Sequence, residues 1–113
     1  MKSYVYTLNL KNNPELIDNY LEYHQAVWPE VIESVRRIGL ISDRIYRLGT
    51  RLVMILEVED NFDPQSDLQK YTDQPRAREW DELMQKFQEP LPEAKPGEWW
   101  ALMDKIFDMD DYN

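Results

Sequence analysis

Two runs of alternating apolar and polar residues flank Gly49-Thr50, and they constrain the fold more than any other feature. Residues 40–48 form the first run, and residues 51–59 form the second. Alternation with a period of two is typical of β-strands. A two-residue loop that begins with glycine matches the twist of paired strands. The sequence therefore predicts an antiparallel hairpin, and the rest of the chain must cover the sheet.

The N-terminal third predicts one strand and one long helix. Residues 4–10 alternate in the same way as the hairpin, which predicts a first strand. Asn13 is then a suitable N-cap with Pro14 at the first helical position, and the apolar stripe that follows ends before Gly39. Pro29 lies inside this stripe and cannot donate a backbone hydrogen bond, so we expect the helix to kink or restart there.

The C-terminal half predicts a second helical region and an ambiguous last element. Asp63-Pro64 begins a polar helical stretch, and Gln74-Pro75 restarts it into a clear apolar stripe. Residues 89–97 contain three prolines and a glycine, which predicts an irregular surface loop. The final segment, EWWALMDKIFDMDD, fits a helix or a strand equally well by periodicity alone.

The order strand, helix, strand, strand, helix and one undecided element favours a single domain over residues 1–113. If the last element is a strand, the order is that of an α+β, ferredoxin-like split βαβ fold. Such a sheet has helices on one face only, and both faces of this hairpin look apolar. We place one group of residues on one face and a second group on the other: Leu40, Tyr46, Leu48, Leu52, Met54 and Leu56 against Ile41, Ile45, Val53 and Ile55. A homodimer that covers the bare face is therefore expected.

The net charge of −9 excludes several classes of partner. An acidic chain repels phosphate backbones and anionic headgroups, which argues against nucleic-acid and membrane binding. No apolar stretch approaches the length of a bilayer span, so we expect a cytoplasmic protein. With one histidine and no cysteine, a metal site is not expected, and three scattered glycines form no phosphate loop.

The only histidine stands in a helical row of aromatic residues. Tyr20, His24 and Trp28 are spaced four apart, so on a helix their side chains line one edge. Imidazole can give and take protons near neutral pH, tyrosine can hold a hydroxyl group, and tryptophan can contact the apolar face of a sugar. The same row also fits an aromatic core stripe with a buried histidine, and the residues alone leave both interpretations open.

Several stretches together resemble the L-rhamnose mutarotase family over nearly the whole chain. They are YHQAVWPEV at residues 23–31, Ile45-Tyr46, Arg78-Glu79-Trp80, and QEPLPEAKPGEWWALMDKIF at residues 88–107. The resemblance implies ferredoxin-like subunits paired as a dimeric α+β barrel, with a last strand at about residues 102–109. It also implies exchange between the α and β anomers of a monosaccharide through ring opening, without a cofactor.

The resemblance assigns roles to individual residues. It implies that His24 is the proton donor and that Tyr20 binds the sugar, with Trp28, Tyr46 and Trp80 as further substrate-binding residues. The chain departs from the family at two positions, listed here as candidates for sugar selectivity: Asp43 in place of a tyrosine and Glu79 in place of a tryptophan. The sugar is therefore expected to be L-rhamnose or a related 6-deoxy sugar such as L-fucose.

Two other functions fit the same pattern. Dimeric α+β barrels include cofactor-independent monooxygenases that act on aromatic substrates, and an aromatic cavity with one histidine suits such an enzyme. The second alternative is a non-catalytic ligand-binding dimer with Tyr20, His24 and Trp28 in its core.

Overall fold

The computed structural model describes residues 1–112, and its elements follow the expected order. The strands are β1 (Lys2–Leu10), β2 (Leu40–Leu48), β3 (Arg51–Val58), β4 (Gln88–Glu89) and β5 (Ala101–Leu102). The helices are α1 (Pro14–Tyr23), α2 (Pro29–Arg37), α3 (Pro64–Asp67) and α4 (Pro75–Gln85), with 3₁₀ turns at Leu68–Asp73 and Met109–Asp111. Among residues 1–112, no helix is long and apolar enough to cross a bilayer.

The strands form one curled antiparallel sheet, a half barrel, in the order β2-β3-β1-β4. The β2–β3 hairpin around Gly49-Thr50 is confirmed, since Leu48 pairs with Arg51. Strands β4 and β5 pair with successive stretches of the same edge of β1, at Asn9-Leu10 and at Tyr6-Thr7. The fold class is therefore α+β, as the element order predicts.

The expected assignment of β2 residues to the two faces is wrong. Because a two-residue loop pairs Leu48 with Arg51, even-numbered residues of β2 share a face with odd-numbered residues of β3. Tyr46 pairs with Val53 and lies on the outer face, whereas Ile45 pairs with Met54 and faces the helices. A register shift between Leu40 and Ser42 then returns Leu40 to the helix face. The alternation was correct, but the pairing across the turn decides which face each residue takes.

The helix face of the sheet carries two hydrophobic clusters. The first joins the sheet to α1, α2 and α4 through Leu10, Tyr20, Val31, Leu52, Ala77, Trp80, Met84 and Phe87. The second closes the other end through Tyr6, Leu40, Met54, Leu56, Val58 and Phe62. Trp100 packs against both clusters. These contacts fix the helices over the sheet.

The predicted long helix is two helices with a break before Pro29. The side chain of Asn13 accepts hydrogen bonds from the backbone N–H groups of Glu15 (3.0 Å) and Leu16 (3.2 Å), which confirms the helix start. Helix α1 ends at Tyr23, and α2 begins at Pro29. Residues 24–28 therefore form a joint rather than a kink, because the proline removes one donor and crowds the preceding turn.

The expected strand at residues 102–109 is wrong. Only Ala101–Leu102 pair with β1, followed by one further hydrogen bond from the Met103 N–H to the Val5 carbonyl at 2.8 Å. Residues 103–108 then leave the sheet as an extended segment. Their alternation suits a strand, but within one protomer they meet no neighbouring strand, and a strand needs a hydrogen-bonding partner.

Candidate active site

His24 is the C-cap residue of α1, directly after the last helical residue, Tyr23. Its ring Nδ1 lies 2.8 Å from the Tyr20 carbonyl oxygen, which also accepts the His24 backbone N–H at 3.3 Å. A carbonyl oxygen only accepts, so Nδ1 must carry the proton of this bond. In the neutral ring, Nε2 is therefore the nitrogen with the free lone pair.

The surroundings of His24 favour its neutral form. Burial lowers the pKa of the imidazole below its usual value, and the hydrogen bond to the Tyr20 carbonyl opposes that change in part. His24 is thus a neutral base at pH 7, with Nε2 available to accept a proton.

Aromatic rings enclose His24 on two sides. The ring of Tyr20 lies 4.4 Å from the imidazole between centroids, and the ring of Trp80 lies 5.4 Å away at an angle of 68°. Trp28 contacts Trp80 edge to face at 5.2 Å, and the guanidinium group of Arg76 covers Trp28 at 3.9 Å. The expected row of Tyr20, His24 and Trp28 on one helix is therefore replaced by a cluster in which Trp80 lies beside the histidine and Trp28 contacts Trp80 from outside α1.

The hydroxyl group of Tyr20 is held by a second pair of residues. The amide Nε2 of Gln88 donates to the Tyr20 hydroxyl oxygen at 3.0 Å, and the indole N–H of Trp99 donates to Gln88 Oε1 at 2.8 Å. Burial raises the pKa of Tyr20 to about 12, the Gln88 bond lowers it, and the charge of Asp43 raises it. Tyr20 therefore stays protonated at every pH at which the protein would be used.

Asp43 lies on the sheet, on the side that faces Tyr20. It pairs with Leu56 and so lies on the helix face of β2, where its charge also raises the pKa of Tyr71. The Asp43 side chain keeps contact with water, yet the surrounding protein raises its pKa to about 6. Asp43 thus lies on the helix side of the sheet, near enough to Tyr20 and Tyr71 for its charge to raise the pKa of both.

Two expected site residues lie elsewhere. Glu79 is exposed on α4, and its carboxylate accepts a hydrogen bond from Arg76 at 2.7 Å. Tyr46 lies on the outer face of the sheet with 56% of its surface exposed. Within one protomer, the structure brings together His24, Tyr20, Trp80 and Asp43, but neither of these two.

A surface depression of about 460 Å³ is lined by Asn19, Glu22, Tyr23, Ala26 and Phe87. His24 and Asp43 are not among the lining residues. The depression is open to solvent and lacks these two titratable side chains, so we place the candidate site at His24. Among residues 1–112, no three side chains of His, Asp or Glu lie close enough to hold a metal ion.

The family model for L-rhamnose mutarotase matches residues 3–109 of the chain. The chain belongs to the L-rhamnose mutarotase family. It is 37% identical over 109 residues to an L-fucose mutarotase of Xanthomonas campestris pv. campestris, covering 95% of this chain and 87% of that protein. It is also 48% identical over 113 residues to a UPF0734 protein of Dictyostelium discoideum, covering 96% of this chain and 90% of that protein. Membership makes the chain a sugar mutarotase, an isomerase that acts on carbohydrates.

Two solved structures share the fold. An L-rhamnose mutarotase of Formosa agariphila superposes with a TM-score of 0.69 at 15% identity, covering 96% of this chain and 99% of that one. Tetracenomycin F2 cyclase of Streptomyces glaucescens, a type-II polyketide cyclase, superposes with a TM-score of 0.63 at 14% identity, covering 96% of both chains. Both belong to the dimeric α+β barrel fold, which confirms the fold class of the family member described here.

The sequence alone did not single out four residues around the mutarotase site. Gln88 and Trp99 hold Tyr20, and the hydroxyl group of Tyr71 donates to the carboxylate of Asp81 beside Asp43. Gln88 and Trp99 are separated by a proline-rich loop, so no local spacing links them. Only the residue types, an amide and an indole that need hydrogen-bond partners when buried, could have indicated that Gln88 and Trp99 belong to a polar network.

Proposed function

We propose that this mutarotase exchanges the anomers of a 6-deoxy-L-hexose, with L-fucose preferred to L-rhamnose. The family match supports a reducing sugar, and the relative named L-fucose mutarotase is much more similar in sequence than the solved L-rhamnose mutarotase. Asp43 stands where the sequence departs from the family, and its position beside Tyr20 suits recognition of a sugar hydroxyl. Glu79 has no part in this proposal, because it is exposed and paired with Arg76.

The observation that carries the proposal is the state of His24, a neutral imidazole with Nε2 free beside a protonated tyrosine. Ring opening removes a proton from the anomeric hydroxyl group and adds one to the ring oxygen, and both oxygens are bonded to the same carbon. In our proposal, His24 Nε2 accepts the hydroxyl proton and delivers it to the ring oxygen as the C1–O5 bond breaks. Reclosure on the other face of the aldehyde reverses both transfers.

Tyr20 and Trp80 position the sugar in this scheme. The Tyr20 hydroxyl group binds a sugar oxygen near the anomeric centre, while Trp80 offers an apolar surface beside His24. Trp28 supports Trp80 from behind rather than contacting the sugar. Tyr46 lies on the outer face, so we assign it to the contact between subunits described below.

Exchange spectroscopy by NMR tests the activity directly. The rate of exchange between the anomeric signals is measured for L-fucose, L-rhamnose and D-glucose, with and without the protein. We expect acceleration for the two 6-deoxy sugars, with L-fucose faster. The Glu79→Gln variant is the matched control and should keep the order of sugar preference. Spontaneous rates for both 6-deoxy sugars would contradict the proposed substrate class.

We further propose that the mutarotase is a homodimer that covers the outer face of its sheet. Tyr46 and Leu48 on this face are exposed, and the extended C-terminal segment exposes Ile106, Phe107 and Met109. This is more exposed apolar surface than a stable monomer of this size usually carries. Light scattering at micromolar concentration should give twice the 13.7 kDa mass of one chain. A monomer that exchanges anomers at full rate would contradict the proposed homodimer.

A cytoplasmic location fits a sugar-metabolising family and stays a prediction. The monooxygenase alternative gains nothing from the polyketide cyclase neighbour, because a likeness at 14% identity concerns the fold alone.

A further inference from the structure

A buried chain of hydrogen bonds leads from Trp99 through Gln88 to Tyr20. Gln88 has only 5% of its surface exposed, and Tyr20 has 2%. Trp99 and Gln88 lie on either side of the 89–97 loop, and the two hydrogen bonds measure 2.8 and 3.0 Å. Nothing in the proposed proton transfer requires the indole or the amide, so the chain needs another explanation.

The donors and acceptors in this chain can be arranged in only one way. An indole N–H can only donate, so the end of the Gln88 amide that meets Trp99 must be its oxygen. The NH₂ group of Gln88 then faces Tyr20 and donates to the hydroxyl oxygen. The hydroxyl oxygen of Tyr20 thus accepts from Gln88, and its O–H has no acceptor among the hydrogen bonds of residues 1–112, which leaves the O–H free to donate.

We propose that Trp99 and Gln88 are positioning residues that commit the Tyr20 hydroxyl group to donate its proton in a hydrogen bond to a sugar oxygen. This inference rests on the proposed function, since it concerns the same site. Without Trp99, the amide of Gln88 can turn over and present its oxygen to Tyr20. The Tyr20 hydroxyl group would then donate its proton to Gln88 and would no longer donate it to the sugar.

A pair of variants in two backgrounds separates this role from packing. Trp99→Phe removes the indole N–H together with the five-membered ring and keeps an aromatic side chain, and we expect loss of the hydrogen bond to lower kcat/KM about two- to tenfold, the range for one neutral hydrogen bond. In a Tyr20→Phe background, the same substitution should have no further effect, because the hydroxyl group is already absent. Trp100→Phe, the same change at the next residue, is the control. Equal losses from Trp99→Phe in both backgrounds would overturn the proposal.

A second variant makes the direction of the hydrogen bond depend on pH. In Gln88→Glu at pH 8, the new carboxylate accepts from both neighbours, so it draws the Tyr20 proton away from the sugar and activity should fall about tenfold. When the new carboxyl group is protonated, it accepts from Trp99 and donates to Tyr20, as the amide does. The ratio of variant to native rate should therefore rise as the pH falls. A ratio that stays constant from pH 8 to pH 5 would overturn the proposal.

One measurement tests the chain without any substrate. In the NMR spectrum of free Gln88→Glu protein, the Trp99 indole proton should shift as the new carboxyl group titrates, and the Trp100 indole proton should not. The absence of a Trp99 shift would refute the hydrogen-bond chain whatever the activity. If native protein fails to accelerate any sugar while this shift is present, the proposed sugar class fails and the arrangement around Tyr20 stands.

Discussion

The properties of His24 follow from its position at the end of a helix. The last carbonyl groups of a helix lack partners within it, and the Tyr20 carbonyl accepts both the backbone N–H and the ring Nδ1–H of His24. This double acceptance orients the imidazole and fixes the tautomer. The site therefore holds its histidine through a backbone carbonyl group, while burial favours the neutral form of the ring.

The His24→Asn variant should separate this orienting bond from the chemistry. The asparagine amide can replace the Nδ1–H donor to the Tyr20 carbonyl, but it has no group at the position of Nε2. We expect anomeric exchange to fall about 10²- to 10⁴-fold, the usual contribution of a positioned acid or base. The free energy of unfolding should change by no more than about 1 kcal/mol, since the buried donor is retained. Full activity in folded His24→Asn protein would exclude His24 as the proton-transfer group.

Asp43 should make the stability of the mutarotase depend on pH. Because its pKa is raised from 3.8 to about 6 in the folded protein, the folded state binds this proton more tightly than the unfolded state. The stabilisation is complete below the unfolded value and is lost as the pH rises through about 6. Asp43→Asn should therefore melt at a higher temperature than native protein at pH 8, with a smaller advantage at pH 5. Exposed Asp18→Asn is the control, and an equal advantage at both pH values would contradict the prediction.

At the scale of elements, the joint between α2 and β2 sets how strand β2 begins. Gly39 has φ +112°, its N–H donates to the Arg36 carbonyl at 3.1 Å, and its carbonyl accepts from the Glu59 N–H at 3.0 Å. Such a φ is accessible to glycine and strained for other residues. The register shift between Leu40 and Ser42 follows at once and returns Leu40 to the helix face, while the hairpin register pairs Asp43 with Leu56 on the same face.

Replacement of Gly39 by alanine should therefore be costly. The added Cβ would lie 3.3 Å from Cδ2 of Phe62 and would occupy a strained backbone conformation. We expect Gly39→Ala to lower the free energy of unfolding by about 2–3 kcal/mol, measured by urea denaturation. Gly49→Ala is the matched control, with φ +60° and open space around its Cβ, and should cost about 1 kcal/mol. Equal losses in the two variants would show that the Phe62 contact and the unusual φ do not matter.

At the scale of the whole molecule, the half barrel leaves one sheet face and one segment without cover. The chain measures 48 × 29 × 28 Å along its principal axes, longer in one direction than a compact chain of this length. Residues 103–108 extend from the sheet edge and carry apolar side chains into solvent. A second copy would give these side chains and the outer sheet face a surface to pack against, which is the physical basis of the proposed dimer.

Ile106→Asp tests the segment specifically. Ile106 is 96% exposed in one protomer, so the substitution removes no contact within the chain and should leave monomer stability unchanged. If the segment packs against a second copy, burying a carboxylate there should weaken the dimer at least about tenfold, measured by sedimentation at several concentrations. Glu93→Lys, on the exposed 89–97 loop, is the control. Unchanged dimer affinity in Ile106→Asp would place the segment outside the interface.

The sequence by itself determined the first three strands and the main helices in order, because period-two alternation, N-cap residues and prolines act over a few neighbouring positions. Its resemblance to a family also named Tyr20, His24 and Trp80 as site residues. Tertiary structure decided the rest. The partner of each strand determined that Tyr46 faces outward, that Asp43 lies on the helix face and that residues 103–108 form no strand in one protomer. Glu79 turned out to be exposed, and Gln88 met Trp99 across a loop, because hydrogen bonds between distant residues leave no local pattern in a sequence.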